Sequence, residues 1–156
     1  MPTGGRYWWC TDTSLNSVEP DKNFGGDGVL EGGPGKTVLI RFGQLNQALG
    51  PNKKIVSAKL VLVLAGANQP KLRSVGRLLA PWGEGPIKTL GSITAGLDES
   101  TAPRWSASWK HRRAGQDSMA WQQAGANGPN DVFRVREAAI ESISQDTIAI
   151  KGLEQA

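Results

Sequence analysis

Cysteine and histidine occur once each in the 156 residues, as Cys10 and His111. One cysteine excludes an intrachain disulfide and leaves the redox compartment open. A single Cys and a single His also exclude the usual zinc constellations, which are built mainly from those two residue types. No stretch approaches the roughly 18 consecutive apolar residues of a membrane helix, so membrane insertion is not expected. The opening MPTGGRYWWC lacks the charged-then-apolar order of a secretory leader. It reads either as the start of a cytosolic chain or as a start that replaces a removed leader. Surplus charge is scarce too: 18 Lys+Arg against 14 Asp+Glu give +4. Nucleic-acid binders carry a denser basic patch. The one tight cluster is Lys110-His111-Arg112-Arg113, and nucleic acid is not an expected partner.

What is present points to one β domain. The length suits a single compact unit spanning residues 1–156, and no internal repeat, heptad or linker divides it. Gly (20) and Pro (9) make the chain rich in turns without reaching a disordered composition. Residues 1–36 are polar, with the turn clusters EPDKNFGGDG and EGGPGK and only Val29-Leu30 as a short strand between them. Thr37–Phe42 is β-branched and apolar, with Leu39 and Arg41 on one face and Val38, Ile40 and Phe42 on the other. In Ile55–Ala65, the set Val56, Ala58, Leu60, Leu62 and Leu64 is wholly apolar and is expected inward. The opposite set turns apolar at Val61 and Val63, which predicts an edge strand running into a covered region. LGPNKK between these strands is a turn. A strand-like stretch from Leu72 to Leu79 ends at Pro81, and Gly83–Asp131 shows little periodicity, as in a long ordered loop. Val132–Val135 reads as a strand, Arg136–Ile143 as a short helix with Ala139, Ile140 and Ile143 on one face, and Asp146–Ile150 as a last strand. The expected fold is an all-β antiparallel sandwich, jelly-roll-like, with long loops and at most one short helix.

Six tryptophans against one tyrosine and three phenylalanines concentrate the candidate chemistry. Trp105, Trp109 and Trp121 lie within PRWSASWKHRRAGQDSMAWQQAGANGPND beside Lys110, His111, Arg112 and Arg113. An indole can stack on the C–H face of a sugar ring, and an arginine fork can pair with uronate carboxylates. Trp105, Trp121, Lys110, His111, Arg112 and Arg113 are therefore candidate carbohydrate-binding residues, while Trp109 is expected in the core against Trp82. Trp8 and Trp9 are adjacent, so a strand would turn at most one of them inward. Asp21, Asn23 and Asp27 offer oxygen ligands for Ca2+, though the same residues are ordinary turn chemistry. His111 has Asp98 and Asp117 as available orienters but no nucleophile elbow near it. Glu84 with Asp98 or Glu99 is the remaining carboxylate pair for glycoside cleavage. Glu84 reads better as a turn residue that accepts backbone N–H groups, and no catalytic residue is expected. GGPGKT fails as a phosphate loop because its spacing is wrong and a strand follows it.

The order of several short motifs resembles the DNRLRE family of extracellular β-sandwich, jelly-roll domains. The matching pieces are DTSL at Asp12–Leu15, NFGGDGVLEGG, TVLIRFGQL at Thr37–Leu45, IVSAKLVLVL, PWGEG at Pro81–Gly85 and the WKHRRAG stretch from Trp109. The likeness runs from about Asp12 to Asp131. The segment from Trp105 to Asp131 is longer and more basic than the family pattern, and the family finishes with a further strand or two, which suggests a missing closing strand. The resemblance implies an extracellular or cell-surface location, with attachment to surfaces and polysaccharides as a non-catalytic module; one branch resembles modules that bind alginate. Two expectations follow. One is a module that binds polysaccharide, acidic for preference; the other is a structural domain that packs on neighbouring domains or pairs with copies of itself, with no small ligand. A lyase or hydrolase fragment is a third and weaker reading.

Overall fold

The computed structural model describes residues 10–66, 74–85, 97–98, 106–114, 118–135, 139–144 and 147–151. Their strands are β1 (Cys10–Asn16), β2 (Lys22–Asn23), β3 (Lys36–Phe42), β4 (Lys59–Val63), β5 (Val75–Leu78), β6 (Leu97–Asp98), β7 (His111–Arg113), β8 (Met119–Ala120), β9 (Val132–Val135), β10 (Ala139–Ser144) and β11 (Thr147–Lys151). One short helix, α1 (Leu45–Leu49), follows β3. Every strand pairing among the described residues is antiparallel: β1 with β3, β2 with β6, β5 with β9, β7 with β8, and β10–β11–β4 as a three-stranded sheet. The fold is all-β.

The inner set of β4 is where its alternation places it. Leu60 and Leu62 are half-buried and lie opposite Ile150 and Ile148 of β11, both buried. The flanking residues differ from expectation. Ile55 and Val56 lie before the strand and are exposed, and the outer face stays open, with Val61 45% and Val63 77% exposed. The strand gains cover on one face only. The turn before it forms as expected: Asn52, next to Pro51, takes the left-handed conformation that Asn tolerates (φ 62°).

Three more differences have local causes. Residues 10–16 form β1, a seven-residue strand with no apolar alternation to announce it. Its inward side chains are Thr13 and Leu15, both fully buried, and its partner is the apolar β3 in the register Thr13↔Leu39. β-Branched threonines suit a strand whose polarity hides it. Val29-Leu30 is not a strand; Val29 sits in a bend and is half-exposed. The expected helix over Arg136–Ile143 is corrected as well. Ala139–Ser144 is β10, paired with β11 through Ile140↔Ile150, while 136–138 lie outside the described residues. AAIESIS carries a weak helical preference, and pairing with the strongly β-forming TIAIK outweighs it.

The main core lies beneath β1, β3 and the 82–126 region. Leu15, Leu39, Trp82, Ala107, Trp121 and Ala126 form one buried cluster, with Leu78, Ala80 and Trp109 packed against it. Thr37–Phe42 thus turns Leu39 inward on the face it shares with Arg41. Trp109 joins the cluster that holds Trp82, as expected from the sequence.

Candidate functional site

The segment carrying the basic cluster is built on small residues. Ser106, Ala107 and Ser108 are fully buried, and they bond across to the turn before them and the strand after them. Ala107 N donates to Gly83 O (2.8 Å), Ser108 N to His111 O (2.8 Å), and Ala114 N to Ser106 O (2.8 Å). The backbone N–H of His111 donates to Ser108 Oγ (3.1 Å). This tight bend carries Trp109 and Lys110 at its tip and continues into β7. Trp109 lies half-buried on the core, against Gly125. Gly125 has φ +79° and sits where an added Cβ would be 2.5 Å from the indole, so only glycine lets the two segments approach.

The following arm folds back onto that bend. Trp121 N donates to Lys110 O (3.1 Å) and Gly125 N to Trp109 O (2.7 Å). Thr37 Oγ1 of β3 donates to Gly125 O (3.0 Å). The Trp121 indole is 4% exposed, and its Nε1–H donates to Ser108 O (2.9 Å). The turn that closes the arm centres on Asp131, itself 3% exposed. Its carboxylate accepts from the backbone N–H of Gln122 (2.9 Å), Gln123 (2.9 Å) and Gly128 (3.0 Å).

A second polar knot ties the bend to the N-terminal half. Asn23 is buried; its Nδ2 donates to Glu84 O (2.8 Å) and Ala107 O (2.7 Å), and its Oδ1 accepts from Gly25 N (3.2 Å). Glu84 Oε1 accepts from the backbone N–H of Asp12 (2.9 Å), so Glu84 does serve a backbone donor. Partial burial raises the Glu84 carboxyl above its usual range; the Asp12 N–H opposes that shift, the Asp12 charge adds to it, and Arg41 opposes it. Partial burial raises Asp12 as well. The Cys10 thiol is pushed up by burial and then by the charges of Asp12 and Glu84.

These positions sort the expected site residues. The aromatic half is corrected at Trp121, which packs in the core with its N–H satisfied and has no free face for a sugar ring. Trp105 lies outside the described residues, as do Tyr7, Trp8, Trp9, Glu99 and Asp117. The cationic half stays together: Lys110 is exposed at the tip, and His111, Arg112 and Arg113 are half-buried along β7. Lys110 Nζ contacts both carboxylate oxygens of Asp21 (2.7 Å each). Two of the three residues proposed for Ca2+ have their side-chain oxygens on other partners. Asp21 holds Lys110, Asn23 is spent on backbone groups, and Asp27 forms a turn in which its N–H donates to Phe24 O (3.1 Å). Among the described residues, no three His, Cys, Asp or Glu side chains stand together as a metal would need.

Arg41 is the residue that sequence reading missed. Its Nε donates to Thr11 Oγ1 (3.0 Å), its Nη1 to Trp82 O (3.2 Å), and its Cζ stands 5.3 Å from the centroid of the Trp82 ring. The available signal was its place beside inward Leu39 on an otherwise apolar strand. No helix among the described residues is long and apolar enough to cross a membrane. No protein-family model, no curated protein and no solved structure matches this chain at a significant level.

Proposed function

We propose that this chain is a non-catalytic β-sandwich module of a secreted or cell-surface protein, and that it binds an acidic polysaccharide through charge rather than through aromatic stacking. The observation that carries this reading is β7. Lys110, His111, Arg112 and Arg113 ride on one bend and the short strand that follows it, with Trp121 and Ser108 locking the bend's backbone. A cluster of basic groups on a fixed backbone suits an anionic chain, because an arginine fork meets a carboxylate with its donors already arranged. The resemblance to surface-attachment domains points the same way. The test is isothermal titration of the protein with an alginate oligomer and with a neutral glucan. Binding to alginate only, weakened in Arg112→Gln/Arg113→Gln, supports the reading; equal binding to both polymers, or to neither, overturns it.

A second reading, an assembly domain, is favoured by one feature. The outer face of β4 leaves Val61 and Val63 exposed on neighbouring same-face positions. Such a face is a candidate contact surface. Size-exclusion chromatography over a hundredfold concentration range separates the readings: a monomer throughout argues against assembly.

A further inference from the structure

The ion pairs of the described residues divide the cations into two kinds. Lys22 pairs with Glu19, Lys36 with Glu31, Lys110 with Asp21 and Lys151 with Glu141. Arg41 and Arg112 make no ion-pair contact with a carboxylate among the described residues. Both guanidiniums instead reach the backbone of one short segment. Arg112 Nη1 donates to Pro81 O (3.3 Å) and Arg41 Nη1 donates to Trp82 O (3.2 Å). The two arginines thus meet the adjacent carbonyls of Pro81 and Trp82, one coming from β3 and one from β7. The β7 side is fixed further, since Gly83 N donates to Arg112 O (3.3 Å). An arginine carries five N–H donors. Arg41 spends two of them on protein oxygens and Arg112 one, which leaves each fork with donors for a ligand. Their anchoring lowers the entropy lost when a carboxylate docks.

We propose that Arg41 and Arg112, anchored on the adjacent carbonyls of Trp82 and Pro81, form a two-guanidinium seat for the carboxylates of an acidic polysaccharide. The seat rests on the reading of the preceding subsection and moves its centre of affinity from Lys110, whose charge Asp21 already answers, to a pair more than 70 positions apart in sequence. Glu84 interacts electrostatically with Arg41 and opposes an incoming anion. The seat therefore makes a prediction of opposite signs: removing Arg41 weakens binding, and removing the Glu84 charge strengthens it.

The test is titration of the full chain with an alginate oligomer at two salt concentrations, with each variant's melting curve recorded alongside. Arg41→Gln and Arg112→Gln should each weaken binding about fivefold, the size of an exposed charge pair, and should flatten the salt dependence. Arg41→Lys, which keeps the charge and loses the fork, should recover part of the affinity. Glu84→Gln, which keeps an acceptor for the Asp12 N–H, should bind more tightly than wild type. Wild-type binding that survives both arginine substitutions but falls in Arg113→Gln overturns the seat and leaves the module reading standing. Failure of the wild type to bind alginate overturns both.

Discussion

Replacing Asp131 with alanine should unfold the arm that supports the basic strand. The side chain is 3% exposed and accepts three backbone N–H groups, from Gln122, Gln123 and Gly128. Hydrogen bonds to a charged group contribute about 1.5–3 kcal/mol each net of water. Three bonds to one carboxylate do not add, and Gln122 and Gln123 are exposed enough for water to reach their N–H groups once the carboxylate is gone. The expected loss is about 3 kcal/mol. In a domain of this size that lowers the melting temperature by about 10 °C. Asp131→Asn should cost less, about half, because one oxygen still accepts while the new amide N–H₂ faces a donor. Urea denaturation followed by far-UV circular dichroism measures both variants, with the m-value as a check that the unfolded state is unchanged. An Asp131→Ala unfolding free energy within about 0.5 kcal/mol of wild type would refute the reasoning, since the buried Gly128 N–H cannot lose its acceptor at no cost.

Trp121→Phe should lose about 2 kcal/mol, from the missing N–H bond to Ser108 O and the space left by the smaller ring; equal urea midpoints would count against the core placement of Trp121. Gly25→Ala should destabilise by more than about 2 kcal/mol, because its Cβ would fall 1.8 Å from the Glu84 carbonyl oxygen in a well-packed turn, and an unchanged melting curve would show that this turn yields. The Asp12 carboxyl is raised by burial, so its protonated form is the one the fold favours. Its contribution is present below the ordinary carboxylate range and is lost as pH rises through the raised value. Asp12→Asn should therefore melt higher than wild type at neutral pH, with the gap closing in acid, and a gap that widens in acid would reverse the sign.

The sequence made the fold legible wherever apolar alternation was strong. β3, β4, β9 and β11 announce themselves through Val, Ile and Leu. β1 stayed hidden because its buried positions include Thr13, Ser14 and Asn16, whose burial depends on a partner strand and on bonds such as Glu31 N–H to Ser14 Oγ. β10 was misread because AAIESIS fits either period over so short a length. For the site, the cluster Lys110–Arg113 was visible as a run of charge. The division between paired Lys110 and carboxylate-free Arg112 was not, because Asp21 lies 89 positions away from Lys110. Trp121 was read partly as a platform, since nothing local shows that its N–H meets Ser108 O. Arg41 was invisible as a ligand group, because only the fold brings the Trp82 carbonyl and ring beneath it.

The bend at Ser106–Ser108 sets the terms on which this surface can be altered. Three small, wholly enclosed residues leave no slack for enlargement, so exchange of chemistry is confined to the outward positions that ride on them, Lys110 and Arg112 foremost. Specificity can be rewritten there by substitution at the rim while the interior keeps its shape. Under the proposed polysaccharide reading, the stretch is the graft point for engineering a different polymer preference.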